Sequence, residues 1–195
     1  MASSKTFSLV LPILLMNCFA LLGQCSRPHN SKEREDLVTA ACKHTLHFQV
    51  CISSLRSVPG SSKASDLKVL AEIALNLSTA YAADTLSYIY KLQSSSSSSA
   101  NGSNNIRVSR CLSDCVEEYS EAIENLHDSK QALANGDCDQ VDMLVSAAMS
   151  DAETCEDGFK DMQSEDSDSI SPLTEHNLYF SELCSNALAI TKLLV

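Results

Sequence analysis

The sequence predicts an all-α fold: an up-down-up-down four-helix bundle preceded by a short N-terminal helical hairpin. Three observations predict it. Four segments after residue 64 carry apolar residues at i, i+3, i+4, i+7 spacing. Glycines number only five and tryptophan is absent, too few turn residues and aromatics for a β-sandwich or barrel. Nine cysteines follow or fall within an apolar leader, which makes disulfide staples available to a helical core.

Residues 1–25 read as a secretory signal peptide. Lys5 gives a basic start, Phe7 to Leu22 is apolar apart from Ser8, Pro12 and Asn17, and Gly23, Cys25 and Ser26 offer a small-residue exit. A bilayer span wants about 20 clean apolar residues, and Pro12 and Asn17 interrupt this run. Removing the leader removes Lys5 and no acid. The mature chain then carries 13 basic against 25 acidic residues, net −12. Such a chain does not seek nucleic acid or anionic lipid, whereas a basic protein surface is attracted to it. Between Asp151 and Asp168 eight carboxylates face only Lys160, either a solvated face or a steering surface.

Residues 26–63 form the N-terminal segment and hairpin, ending at Pro59-Gly60, and residues 64–195 the bundle; from residue 33 onward both belong to one domain. Cys42 and Cys51 are nine positions apart, about 13 Å of rise on one straight helix. A disulfide requires Cα atoms roughly 4.4–6.8 Å apart, so if these two pair, the chain reverses between them. On a single helix they stay reduced.

The first bundle helix uses Leu67, Leu70, Ala71, Ala74, Leu77, Tyr81, Thr85, Ile89 and Leu92 as its stripe. Residues 94–105, which contain six consecutive serines, read as a flexible loop. The second helix follows Leu112, Cys115, Val116, Tyr119, Ile123, Leu126 and Leu133, and Asn135-Gly136 closes it. Asp137 caps the third helix, with Gln140 as its capping-box partner, and the stripe continues through Val141, Val145, Ala148, Ala152, Cys155 and Phe159. Ser171 is the expected cap of the fourth helix, with Pro172 at its first position. The tight Asn135-Gly136 connection makes helices two and three antiparallel neighbours. Cys115 and Cys155 are equidistant from residue 135 and both lie on apolar stripes, which places them face to face. Cys111, Cys138 and Cys184 have no partner by the same reasoning.

No pattern of an enzyme is present. Gly-rich phosphate loops, G-x-S-x-G and H-E-x-x-H are missing. Cys111 and Cys115 at i, i+4 are half of a metal site, but no second His/Cys pair of comparable spacing completes it. Neither a cofactor nor a metal is implied. Asn76-Leu-Ser78 and Asn101-Gly-Ser103 are N-glycosylation sequons; Asn76 is usable only if it faces solvent.

The spacing Cys42-x8-Cys51, the segment from Leu112 to Leu126, and Val145-Ser-Ala-Ala148 with Thr154-Cys-Glu-Asp-Gly-Phe159 together resemble the plant invertase and pectin methylesterase inhibitor family. Ser171-Pro-Leu173 and the helix around Ala187 to Leu194 are similar to that family's last helix. The resemblance implies disulfides Cys42–Cys51 and Cys115–Cys155. It also implies a secreted, non-catalytic protein of the apoplast or cell wall, with the vacuole as alternative, which covers the active-site cleft of a carbohydrate-active enzyme. Invertase inhibitors of this kind carry Pro-Lys-Phe at the turn before the third bundle helix. Here the turn reads Gly136-Asp137-Cys138-Asp139-Gln140, closer to the pectin methylesterase branch, whose targets are often basic. The expected partner is therefore pectin methylesterase, with invertase as the alternative.

Overall fold

In the computed structural model, residues 36–97, 103–162 and 171–195 are described. Expectations for the leader and for Asn101 lie outside them. The chain forms α1 (Leu37–Cys42), α2 (Phe48–Ser57), a 3-10 turn (Ser61–Lys63), and the long helices α3 (Leu67–Ser97), α4 (Ser103–Asn135), α5 (Cys138–Lys160) and α6 (Thr174–Thr191), with a final 3-10 turn (Lys192–Leu194).

The helices form where the periodicity places them because each has a single apolar stripe to bury. Leu70, Leu75 and Ile89 of α3, Leu112 and Leu126 of α4, Val141 and Val145 of α5, and Phe180 and Ile190 of α6 are fully shielded from water. Neighbours pack in a ring, α3 on α4, α4 on α5, α5 on α6 and α6 back on α3, so α3 lies diagonal to α5. Small residues Ala71, Ala82, Ala122, Ala148 and Ala187 sit at the shielded positions and let the helices approach closely.

Two differences from the sequence reading concern helix ends. Helix α3 continues through Ser97 and α4 begins at Ser103, so the expected loop of residues 94–105 is helical at both edges. The hydroxyls of Ser94 and Ser95 donate back to the carbonyls of Lys91 and Leu92 at 2.8 Å, each within the helix's own turn. Ser171 does not cap α6, and Pro172 is not its first residue. The Ser171 hydroxyl accepts instead from the Leu173 N–H two residues on (3.1 Å), a tight turn that delays the helix to Thr174.

The hairpin is closed at both ends. Cys42 and Cys51 are disulfide-bonded with Cα atoms 5.6 Å apart, the chain reversing between them. At the mouth, Asp36 accepts from the Thr39 N–H (3.0 Å), and Arg56 of α2 reaches both Asp36 and the Thr39 hydroxyl. The hairpin docks on α6: Asn186 donates to the His47 carbonyl (3.3 Å), and the His47 ring lies 3.3 Å from Glu182.

Cys115 and Cys155 join α4 to α5 with Cα atoms 4.7 Å apart. Among the described residues, Cys111, Cys138 and Cys184 are free thiols. Cys184 is fully buried, and burial pushes its thiol up to about 12. Cys111 donates to the Gly158 carbonyl (3.2 Å) across the same helix pair.

The two staples differ in the loop they close, 40 residues against 9. Loop-closure entropy then makes the Cys115–Cys155 bond worth about 1 kcal/mol more than Cys42–Cys51. Replacing each pair by serine and measuring urea unfolding should show the larger loss for the Cys115/Cys155 variant; equal or reversed losses contradict this.

Candidate functional site: the α4–α5 turn and its acidic face

The connection between α4 and α5 is built from backbone chemistry that only a few residues allow. Gly136 sits at φ +79°, in the left-handed region that favours glycine. The Asp137 N–H donates to the Ala132 carbonyl (3.0 Å) and the Gly136 N–H to Leu133 (3.1 Å), a Schellman closure of α4. Asp137 at once caps α5 by accepting from the Gln140 N–H (3.0 Å). Its carboxylate is therefore committed to the next helix's first turn, where a negative charge is favoured. Lys68 of α3 donates to the Ala134 carbonyl (3.0 Å), so the first bundle helix holds the turn from the side. The C-terminal tail flanks it as well: Lys192 pairs with Asp142 at 3.1 Å, beside a small hollow bordered by Cys138, Leu188 and Val195.

From this turn an acidic surface runs along the helix pair. Asp114, Glu117, Glu121, Glu124 and Asp128 are all exposed, and their 3-4-3-4 spacing keeps them on one face of α4. No Lys or Arg lies between residues 114 and 128 to offset them. The antiparallel register set by the turn brings Asp151 of α5 against this stripe. One carboxylate oxygen each from Glu118, Glu121 and Asp151 lies within 4.8 Å of the others, and Asn125 donates to Asp151 (3.1 Å). The acids expected from the 151–168 cluster divide: Glu153 and Asp157 are exposed, Asp151 is half-buried, and residues 163–168 lie outside the described residues. The α4 stripe was not singled out from the sequence, although its spacing is visible there.

Glu156 has a different role. It accepts from the Thr174 hydroxyl (2.6 Å) and from Asn177 (2.7 Å), and Asn177 in turn accepts from the Tyr119 hydroxyl (2.7 Å). This chain of bonds ties α5, α6 and α4 together beneath an open cleft of about 500 Å³ between α5 and α6, whose rim carries Glu153, Asp157 and the exposed Leu178. Tyr119 is fully shielded, and burial pushes its hydroxyl well above its ordinary 10. Every polar atom in the chain is thus held by another, which makes it a brace rather than a reactive centre.

Of the residues singled out from sequence, Cys42, Cys51, Cys115 and Cys155 lie in the scaffold. Asn76 is exposed on α3, which packs on α4 and α6 rather than belonging to the acidic face.

Two outcomes follow from the geometry of this site. Nothing lies within 4 Å of a Cβ added at Gly136, so a substitution there costs only backbone strain. Gly136→Ala should lower stability by about 1–2 kcal/mol in chemical denaturation, and Gly136→Asn by less. The second outcome concerns pH. Burial raises Glu118 above its ordinary 4.5, with repulsion from Asp151 and Glu121 adding to it. Burial likewise raises Asp151 above 3.8, against the Asn125 hydrogen bond and with Glu121 reinforcing. A carboxyl raised in the folded state contributes stability while protonated and loses it as pH climbs through its folded value. Asp36 and Asp66 act oppositely, since the N–H groups of Thr39 and Val69 hold them low, and their contribution fades only below about 3.8. Stability should therefore rise as pH falls from 7 towards 4.5. The double variant Glu118→Gln, Asp151→Asn should flatten that rise in urea midpoints, and a flat wild-type profile contradicts the reading.

The comparisons with known proteins agree with this architecture. Residues 36–190 match the family described as plant invertase/pectin methylesterase inhibitor. A putative invertase inhibitor from Platanus acerifolia is 30% identical over 82% of this chain and 86% of its own length. A pectinesterase inhibitor from Actinidia deliciosa is 28% identical over 96% and 94%. The crystal structure of a mutant pectin methylesterase inhibitor from Arabidopsis superposes with a TM-score of 0.62 at 28% identity, covering 81% of this chain and 97% of that one. With the stapled four-helix bundle, its hairpin and the capped α4–α5 turn in place, the chain belongs to the plant invertase/pectin methylesterase inhibitor family.

Proposed function

We propose that this chain is a secreted, non-catalytic inhibitor of pectin methylesterase, carried to the apoplast or cell wall by the leader at residues 1–25, and that it forms a 1:1 complex over the target's active-site cleft. The observation that carries this reading is the uncompensated acid stripe from Asp114 to Asp128. A continuous negative face steers a basic enzyme surface into contact and fixes which way round it docks. Rigidity supports the same reading. The stripe is presented by a helix bonded covalently to its neighbour through Cys115–Cys155, so little backbone freedom is left to lose on binding.

Invertase is the second reading, favoured by the putative invertase inhibitor of Platanus acerifolia. The turn speaks against it. Where invertase inhibitors of this kind present Pro-Lys-Phe, Asp137 is spent on capping α5 and Asp139 is an exposed acid.

Purified mature chain titrated into pectin methylesterase should abolish activity near one molar equivalent. Full activity at excess, with invertase inhibited in a parallel titration, transfers the assignment to the second reading; no effect on either enzyme sinks both. The triple variant Glu117→Lys, Glu121→Lys, Glu124→Lys should weaken inhibition by at least about tenfold, ~1.4 kcal/mol. It should also reduce the salt sensitivity of association without lowering the thermal melt, because these side chains are exposed and Glu121 repels Glu118 and Asp151.

A further inference from the structure

The Asn76 side chain is used neither by the fold nor by the acidic face. Asn76 lies in the third turn of α3 with its side chain exposed and making no hydrogen bond to the described residues. Asparagine is a poor helix former, so an exposed mid-helix asparagine costs stability with no return inside the folded chain. Two residues on, Ser78 is fully buried and its hydroxyl donates to the Ala74 carbonyl at 3.1 Å. At about 100° per residue, positions i and i+2 of a helix point roughly 200° apart. The native helix therefore presents the acceptor amide and hides the hydroxyl that completes the sequon.

We propose that Asn76 is an N-glycosylation site filled only before α3 closes against α4 and α6, so that folding sets its occupancy. The proposal rests on the leader delivering the chain to the secretory pathway. The donor is a lipid-diphosphate-linked oligosaccharide. The Asn76 Nδ2 attacks C1 of its first sugar, a C–N bond forms as the C–O bond to diphosphate breaks, the lipid diphosphate leaves, and the amide gives up one proton. Nothing is oxidised or reduced. After folding, the sugar has room: Glu72, Ala80 and Ala83, exposed residues one to two turns to either side, are short or flexible. Since α3 is diagonal to α5, a glycan on its outer face leaves the α5 side of the acidic surface, where Asp151 lies, open to a partner.

The test expresses the full chain in eukaryotic cells, once behind its own leader and once behind an unrelated secretory leader. Peptide N-glycosidase in heavy-oxygen water, followed by mass spectrometry, reads the Asn76 peptide. Labelled conversion of Asn76 to aspartate is expected in part of the secreted chains, with loss of one glycan's mass in Asn76→Gln and unchanged inhibition. A reductant pulse during synthesis, holding both disulfides open, should raise the occupied fraction. Secreted chains with Asn76 bare under both conditions overturn the site; occupancy indifferent to the reductant overturns the folding gate. Failure of export with the native leader alone counts against the leader, while the second arm still decides Asn76.

Discussion

The structure depends most on one backbone conformation, the left-handed Gly136 between α4 and α5. Its Schellman bonds end α4, and Asp137 in the next position begins α5, so two helices are joined with almost no free chain. A connection that short admits a single antiparallel register. Given that register, Cys115 meets Cys155, Asp151 meets Glu118 and Glu121, and the thiol of Cys111 meets the carbonyl of Gly158. A looser connection would leave each of these pairings to be selected against alternatives.

The helix pair then serves two purposes on opposite faces. Inward, it supplies Tyr119 and Glu156 to a polar chain that ends on α6, where Tyr119 also packs against Phe180 with ring centroids 5.6 Å apart. Burying a hydroxyl and an amide is tolerated because each finds a partner, and the same bonds fix how α6 lies across the pair. Outward, the pair exposes acids that repel one another and gain little from the fold. Charges arranged at a cost to the free protein are understood most simply through what they meet on a partner. Each polar group of the buried network is held by a partner, so the network braces the three helices.

Much of the scaffold was legible because its signals are local. Apolar spacing marked four helices, Asn135-Gly136-Asp137 marked a stop and a start, and two cysteines equidistant from that turn marked a meeting point. Helix ends were less legible. A serine run contains no apolar anchor, yet α3 continues through Ser97, with Ser94 and Ser95 bonding back to the carbonyls of Lys91 and Leu92, an interaction that exists only once the helix is there. Ser171 has the composition of a cap but turns onto Leu173 instead, while Thr174, where the helix starts, is held by Glu156 from another helix.

What the sequence determined by itself is therefore the four bundle helices, the α4–α5 register and the net negative charge, since each follows from spacing and composition along the chain. Only the tertiary structure decided which charges act together. Glu118, Glu121 and Asp151 become one cluster because α5 folds back on α4, and Glu156, drawn from the same acid-rich stretch as Asp151, is turned inward by Asn177 and Thr174. Carboxylates alike in sequence differ in role because burial and hydrogen-bond partners come from elements far away along the chain.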